Sequence, residues 1–201
     1  MIKKIVLTAI IMVSFLSVDV QAAISEDVVK ASIVKHSVEM GVDPALALSI
    51  AKKESGFKHE LKSPYGAVGV FQVLPSTAKK IGYNPYYLND NIKAGLTYYK
   101  MMYKMFGSTE LALAAYNAGP GNVKKYGGTI PPFKETKRFV SVIMQDYHNQ
   151  KRNPDPAIAK YSSSPIIDKD AEISKQPVDY DLPDLKEIPE TRQTDSIMEI
   201  L

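Results

Sequence analysis

No cysteine occurs among the 201 residues. That excludes a structural disulfide, a thiol nucleophile and a lipid-modified cysteine, so any exported form must be held together by its core alone. Tryptophan is absent too, while tyrosine occurs twelve times. The three histidines, His36, His59 and His148, have no metal-ligand spacing among themselves or with acids. No metal or other cofactor is therefore expected. Long apolar runs are missing except for Ile5 to Val18, which is shorter than the roughly 20 residues a membrane-spanning helix needs.

That one run has the marks of an export signal. Lys3 and Lys4 precede it, and Val20-Gln21-Ala22 supplies small residues where a signal peptidase cuts. The alternative is an uncleaved N-terminal anchor. Cleavage after residue 22 predicts a periplasmic protein with no membrane span. Charge is unevenly spread along the rest. From Lys151 onward seven basic residues face eleven acidic ones, a net −4. Residues before Ala23 carry +1, so the overall +3 leaves +6 on residues 23–150. A basic domain suits a polyanion. The lysines are scattered rather than clustered beside aromatics, and with the export signal this argues against nucleic acid.

Helix signals fill residues 23–150. Ser25 reads as an N-cap followed by Glu26 and Asp27, and this helix stops at Gly41. Asp43-Pro44 reads as N-cap plus N1 proline. The second helix carries Ala47, Ile50, Ala51 and Glu54 on one face and ends at Gly56. A glycine-interrupted apolar strip, Gly66 to Val73, leads to a short helix from Pro75 to Gly82. Asn89-Asp90 opens a long helix ending at Gly107, and another runs from about Thr109 to Asn117. Gly119-Pro120-Gly121 reads as a tight turn. Phe139, Val140, Ile143, Met144 and Tyr147 mark a last amphipathic helix. Met101, Met102 and Met105 read as core filling. At most a small hairpin near Leu61 to Val70 is expected. Residues 151–201 hold Pro154, Pro156, Pro165, Pro177, Pro183 and Pro189 with no glycine, and read as an acidic, largely disordered tail. Its apolar end, Ile197 to Leu201, is either a docking element or a frayed terminus.

Three segments carry the chemistry: Glu54-Ser55-Gly56-Phe57, Gly66 to Ala78 with Gln72 as its strongly polar side chain, and Ala115-Tyr116-Asn117-Ala118-Gly119-Pro120-Gly121-Asn122-Val123. Glu54 lies at the edge of a buried face in the last turn of its helix. Desolvation and the negative helix end both push a carboxyl pKa upward, which suits a general acid. Glycosidases usually set two carboxyls about 5–5.5 Å or 6.5–9.5 Å apart. Glu60, Asp90, Glu110, Glu135 and Asp146 are present, but no motif marks one of them as a nucleophile.

In order and spacing, from about Ala31 to Tyr147, these segments resemble the lysozyme-like domain of the soluble-lytic-transglycosylase type of lytic transglycosylase. The resemblance implies a mainly α, lysozyme-like single domain, α+β only by a small hairpin, followed by the tail. It implies cleavage of peptidoglycan at the β-1,4 bond between N-acetylmuramic acid and N-acetylglucosamine. A single glutamate, here Glu54, would serve as acid and then as base on the C6 hydroxyl, giving a 1,6-anhydro product. The family pattern puts Ser55, Phe71, Gln72, Tyr116 and Asn117 at the substrate. Its Glu-Thr-x-x-Tyr-Val signature reads here Glu135-Thr136-Lys137-Arg138-Phe139-Val140. Phe139 keeps a ring and loses a hydroxyl, which puts one polar contact in doubt. Several tyrosines between Tyr83 and Tyr126 are candidates for sugar stacking. The rival readings are a hydrolytic muramidase and an inactive peptidoglycan-binding module. A monomer is expected. Small exported members of the family resemble those serving conjugation, secretion or pilus machines, a setting that composition does not separate from general wall turnover.

Overall fold

A computed structural model describes residues 24–163. The expected signal segment, residues 1–22, and everything beyond residue 163 lie outside them. Eight helices follow one another among the described residues: α1 (Glu26–Glu39), α2 (Pro44–Ser55), α3 (Pro75–Lys80), α4 (Leu88–Phe106), α5 (Thr109–Ala118), α6 (Pro120–Lys125), α7 (Lys134–Arg152) and α8 (Pro156–Ser163). None is long and apolar enough to cross a membrane. Among the described residues the β pairing is two isolated bridges, Lys62 with Val68 and Val68 with Val73, so the expected hairpin is reduced to its minimum.

The ends of the helices sit where local chemistry sets them. The Ser25 hydroxyl accepts from the Val28 N–H, and the Asp43 carboxylate accepts from the Ala45 N–H, so each start has a capped donor. Gly56 and Gly107 close α2 and α4 in the left-handed region. The core gathers one stripe from each long helix: Ile33 and Val34 of α1, Leu48 and Ile50 of α2, Ile92 and Leu96 of α4, Leu113 of α5 and Ile143 of α7. Met102 is fully buried, with Met101 and Met105 packed at the margin. Val38 is the exception on α1, since it is 48% exposed while its neighbour Ser37 is buried.

Two helices were not legible beforehand. Gly119-Pro120-Gly121 opens α6 instead of a simple turn, with Pro120 at its first position. Helix α8 lies within the stretch expected to be an extended tail. Asp155 caps it through the Ala157 N–H at 2.9 Å and pairs with Lys30 of α1 at 3.0 Å. Ala157, Ile158 and Tyr161 pack against the core. The folded unit therefore extends at least to Ser163.

Helix α7 is tied to α2 by two carboxylates. Asp146 accepts from Lys52 Nζ at 2.6 Å, Ser49 Oγ at 2.8 Å and Gln150 Nε2 at 3.1 Å. Asp43 accepts from Tyr147 OH and Lys151 Nζ, each at 3.0 Å. Burial alone would raise both carboxyls, but these donors outweigh it and hold them below the ordinary value of 3.8. A depressed folded-state pKa contributes stability that is present above the ordinary value and lost as pH falls through the folded one. Melting temperature should thus fall as pH drops below about 3.8. Asp146→Asn should flatten that acid limb, as read by thermal melts across pH. An acid limb unchanged in Asp146→Asn would show that this carboxylate is not linked to stability.

Candidate active site

The strip from Gly66 to Val73 is neither helix nor sheet, so its polar backbone groups need other partners. Local turns pair some of them, Val68 with Val73 and Gly69 with Leu61 among others, and three helices supply more. Ser55 Oγ at the end of α2 lies 2.9 Å from the Val70 carbonyl, and Tyr116 OH on α5 donates to the Phe71 carbonyl at 2.8 Å. Asn91 on α4 is fully buried. Its Oδ1 accepts from the Phe71 N–H at 2.9 Å, and its Nδ2 donates to Val68 at 2.8 Å and Pro85 at 3.0 Å. Those partners fix the amide's orientation. Close approach is what makes this possible. A Cβ on Gly69 would stand 2.3 Å from Asn91 Nδ2, and one on Gly95 would stand 2.4 Å from the Phe71 ring.

Gln72 is held in the left-handed region at φ 46, which is unusual for a side chain of its size. Its own amide holds it there: Nε2 donates to Gly69 at 2.9 Å and to Leu61 at 3.0 Å. Both amide hydrogens are thereby engaged, and Oε1 is what remains to offer a ligand. Phe57, just past α2, shares the left-handed conformation at φ 67, with Lys30 Nζ 4.8 Å from its ring centre.

These constraints shape a cavity of about 100 Å³ lined by Glu54, Ser63, Tyr65, Ala67, Gln72, Leu74, Tyr116 and Asn117. Glu54 is half-buried and is the sole carboxylate among these residues. Tyr116 is 1% exposed. Burial, with the Glu54 charge a smaller contributor, holds its phenol well above the ordinary pKa, so it stays protonated. Asn117 Oδ1 accepts from Thr136 Oγ1 at 2.8 Å, which leaves its amide hydrogens for a ligand.

Four of the expected site residues, Glu54, Gln72, Tyr116 and Asn117, thus come together on one cavity wall. The others lie elsewhere. Ser55 is buried behind Glu54, and the Phe71 ring is wholly enclosed against α4. Phe139 is 3% exposed and stacks on Tyr116 with ring centres 6.5 Å apart and planes at 11°. Tyr98 meets Tyr116 edge-on at 5.2 Å. Glu135 is exposed in the first turn of α7. Asn91 was not anticipated, although a polar residue on the Leu88, Ile92, Gly95, Leu96 face of α4 is a readable signal.

A larger groove of about 770 Å³ lies at the other end of α2, beside Asp43 and Leu46. Eleven helical residues put it roughly 16 Å along the axis from Glu54. Its one carboxylate, Asp43, is occupied by the α2 cap, Tyr147 and Lys151.

Asn91→Ala would leave the Phe71 N–H and the Pro85 carbonyl unpaired in the interior, while the Val68 carbonyl keeps the Val73 N–H. The expected loss is roughly 3 kcal/mol, since each stranded group costs about 1–3 kcal/mol before relaxation. Urea unfolding measures it, and an unchanged midpoint would mean the strip holds without this amide.

The chain has matches among known proteins. The family model described as transglycosylase SLT domain matches residues 32–139. Over 127 residues the chain is 33% identical to the soluble lytic murein transglycosylase of Escherichia coli K12, covering 51% of this chain and 20% of that one. It is 26% identical over 151 residues to a transglycosylase of Enterobacteria phage PRD1, covering 74% of this chain and 54% of that protein. The crystal structure of the 70 kDa soluble lytic transglycosylase of Escherichia coli superposes with a TM-score of 0.55 at 28% identity, over 65% of this chain and 26% of that one. The inactive glutamate-to-glutamine mutant of the Pseudomonas aeruginosa enzyme Slt gives a TM-score of 0.55 at 26% identity, over 64% and 25%. The chain spans about a fifth of the Escherichia coli relative's length. With the model matching more than half of the residues, and with the fold and cavity described above, this chain belongs to the transglycosylase SLT domain family.

Proposed function

We propose that this chain is a peptidoglycan lytic transglycosylase with Glu54 as its single catalytic acid and base. The observation that carries the reading is the cavity wall itself. One half-buried carboxylate lines the cavity with Gln72, Tyr116 and Asn117, and among the described residues no second carboxylate lines it. A hydrolase with two acids would need a partner here. A substrate that brings its own nucleophile does not.

In the proposed reaction the Glu54 carboxyl gives its proton to the glycosidic oxygen as the C1–O bond breaks. The resulting carboxylate takes the proton of the C6 hydroxyl on the same muramic sugar. That oxygen bonds to C1, the 1,6-anhydro ring closes, and Glu54 is returned protonated. No water enters. The intramolecular attack gains from high effective molarity. An acceptor at Gln72 Oε1 and donors on Asn117 fit an acetamido group, which presents one N–H and one carbonyl. Ser55, Phe71 and Phe139 act from behind the wall, the first two by fixing the strip and the third by backing the Tyr116 ring.

With residues 1–22 as an export signal, the site of action would be the periplasm. Service to a conjugation, secretion or pilus machine remains the proposed setting, on the resemblance to small exported family members.

Two measurements test the reading. Mass spectrometry of muropeptides released by the purified chain should find 1,6-anhydromuramic ends, lighter by one water than reducing ends. Reducing ends would instead establish the hydrolytic rival. Glu54→Gln keeps volume and loses the proton, so glycan release should drop by at least about 10²-fold while sacculus binding persists. A folded Glu54→Gln protein that retains a third of the activity would place the acid elsewhere.

A further inference from the structure

The groove of about 770 Å³ beside Asp43 and Leu46 has a firm frame and no part in the cavity chemistry. Lys100 of α4 donates to the Met40 carbonyl at 2.6 Å, which ties that helix to the turn after α1. Tyr147 of α7 donates to Asp43 at 3.0 Å, which ties α7 to the start of α2. All four residues line the groove. Its floor is apolar, with Val42 and Leu46 only 6% and 4% exposed. Its rim is aromatic and cationic. Tyr103 is 46% exposed there, and Lys100 and Lys104 are exposed beside it. Lys151 answers the Asp43 charge at 3.0 Å. The two rim lysines therefore leave a positive balance over the apolar floor. An apolar hollow with a polar rim marks an interaction surface, and this one falls in the range of roughly 300–1,000 Å³ typical of ligand clefts.

The sequence supplies a segment of matching chemistry. Residues 164–201, outside the described ones, hold four basic and ten acidic residues, a net −6. Apolar side chains are scattered there until Ile197-Met198-Glu199-Ile200-Leu201, where four of five residues are apolar. No other five-residue window beyond Ser163 is as apolar. Glu199 lies inside the cluster and Asp195 just before it. Two acids thus accompany the apolar cluster, as two lysines accompany the groove. Reach is ample. Residues 164–196 separate the cluster from Ser163, and at roughly 3.3 Å each they can span about 110 Å. A domain of this size has a radius of gyration of only about 14 Å. A tether also keeps its end at a local concentration on the order of a millimolar. A segment carried by the chain itself therefore outcompetes dilute free peptides of similar affinity.

We infer that Asp195 to Leu201 docks in this groove of its own chain, with its apolar side chains on the Val42–Leu46 floor and its acids toward Lys100 and Lys104. The groove lies at the other end of α2 from Glu54, so docking leaves the cavity open. The segment acts as a latch that returns the acidic tail to the basic domain. The inference does not depend on the reaction proposed above.

The chain has no cysteine, so Ser196→Cys in the full chain carries a single nitroxide label. Paramagnetic broadening of 15N-labelled amides then maps where the segment lies. Broadening should be strongest at Val42, Met101 and Tyr103 and unchanged on dilution. Ile197→Asp/Ile200→Asp alters no residue of the helical domain and should cut it at least about fivefold. Lys100→Glu/Lys104→Glu, shown to be folded by thermal melt, should cut it about as much. Adding Asp195→Lys/Glu199→Lys to that variant should restore it, because the swapped charges pair again. Should the lysine variant not fold, the isoleucine variant decides alone. Broadening spread evenly over the surface, or centred on the cavity, would overturn the inference. Broadening that persists in Ile197→Asp/Ile200→Asp would do so too. A nitroxide-labelled chain without 15N, mixed with unlabelled 15N chain, tests a second copy as the occupant. Groove broadening in that mixture would assign the docked segment to a neighbouring molecule and overturn docking within one chain.

Discussion

Everything at the site depends on how one irregular strip of backbone is satisfied. Between Val68 and Phe71 the chain has no helix and hardly any sheet, so α2, α4 and α5 each reach in with a side chain. Ser55 takes Val70, Asn91 takes Val68 and Phe71, and Tyr116 takes Phe71. Each bond contributes only about 1 kcal/mol net, but losing them would strand the Val70 carbonyl and both backbone groups of Phe71. The strip therefore sits where three helices agree that it should. Gln72, the next residue, inherits that position, and with it an otherwise unfavourable left-handed backbone. Rigid elements thus place the cavity wall.

Aromatic packing does the same for Tyr116. Tyr98 abuts Tyr116 edge-on and Phe139 stacks on it, so its ring has little freedom. Phe139 stands where the family pattern has tyrosine. At 3% exposure it does not line the cavity. A hydroxyl buried there would need a partner of its own. The substitution removes that requirement and keeps the stacked ring, so its consequence falls first on the support of Tyr116.

The helices that carry the site were legible from short-range chemistry. Ser25, Asp43, Gly56 and Gly107 mark ends that the structure places within a residue or so. The Glu54, Gln72 and Tyr116-Asn117 segments meet at one cavity. What escaped is as instructive. Helix α6 has six residues, too few to show a period, and its proline looked like a breaker rather than an N1 residue. Helix α8 starts with Asp155-Pro156, the same signal as Asp43-Pro44, but the proline content of the stretch around it masks that signal. Asn91 belongs to no recognised segment. It is a partner of backbone groups 20 and 23 residues away, and such pairing has no local trace beyond a polar residue on an apolar face.

The clamp also decides what the cavity can recognise. A side chain that builds the wall has fewer valences left for a ligand. Gln72 gives both amide hydrogens to Leu61 and Gly69, so it faces the cavity only as an acceptor. Asn117 accepts from Thr136 through its carbonyl oxygen, which leaves both amide hydrogens as its donors to the cavity. Had either amide been free, it could have turned to suit either polarity, since Asn and Gln are close to symmetric in shape. Structural bonds remove that ambiguity. The wall presents one fixed acceptor, one fixed donor set and one carboxylate. A ligand group with the reverse polarity would strand buried valences on both sides, at about 1–3 kcal/mol each. Fold and specificity here come from the same few hydrogen bonds, and a substitution that loosens the strip should blur recognition before it touches the acid.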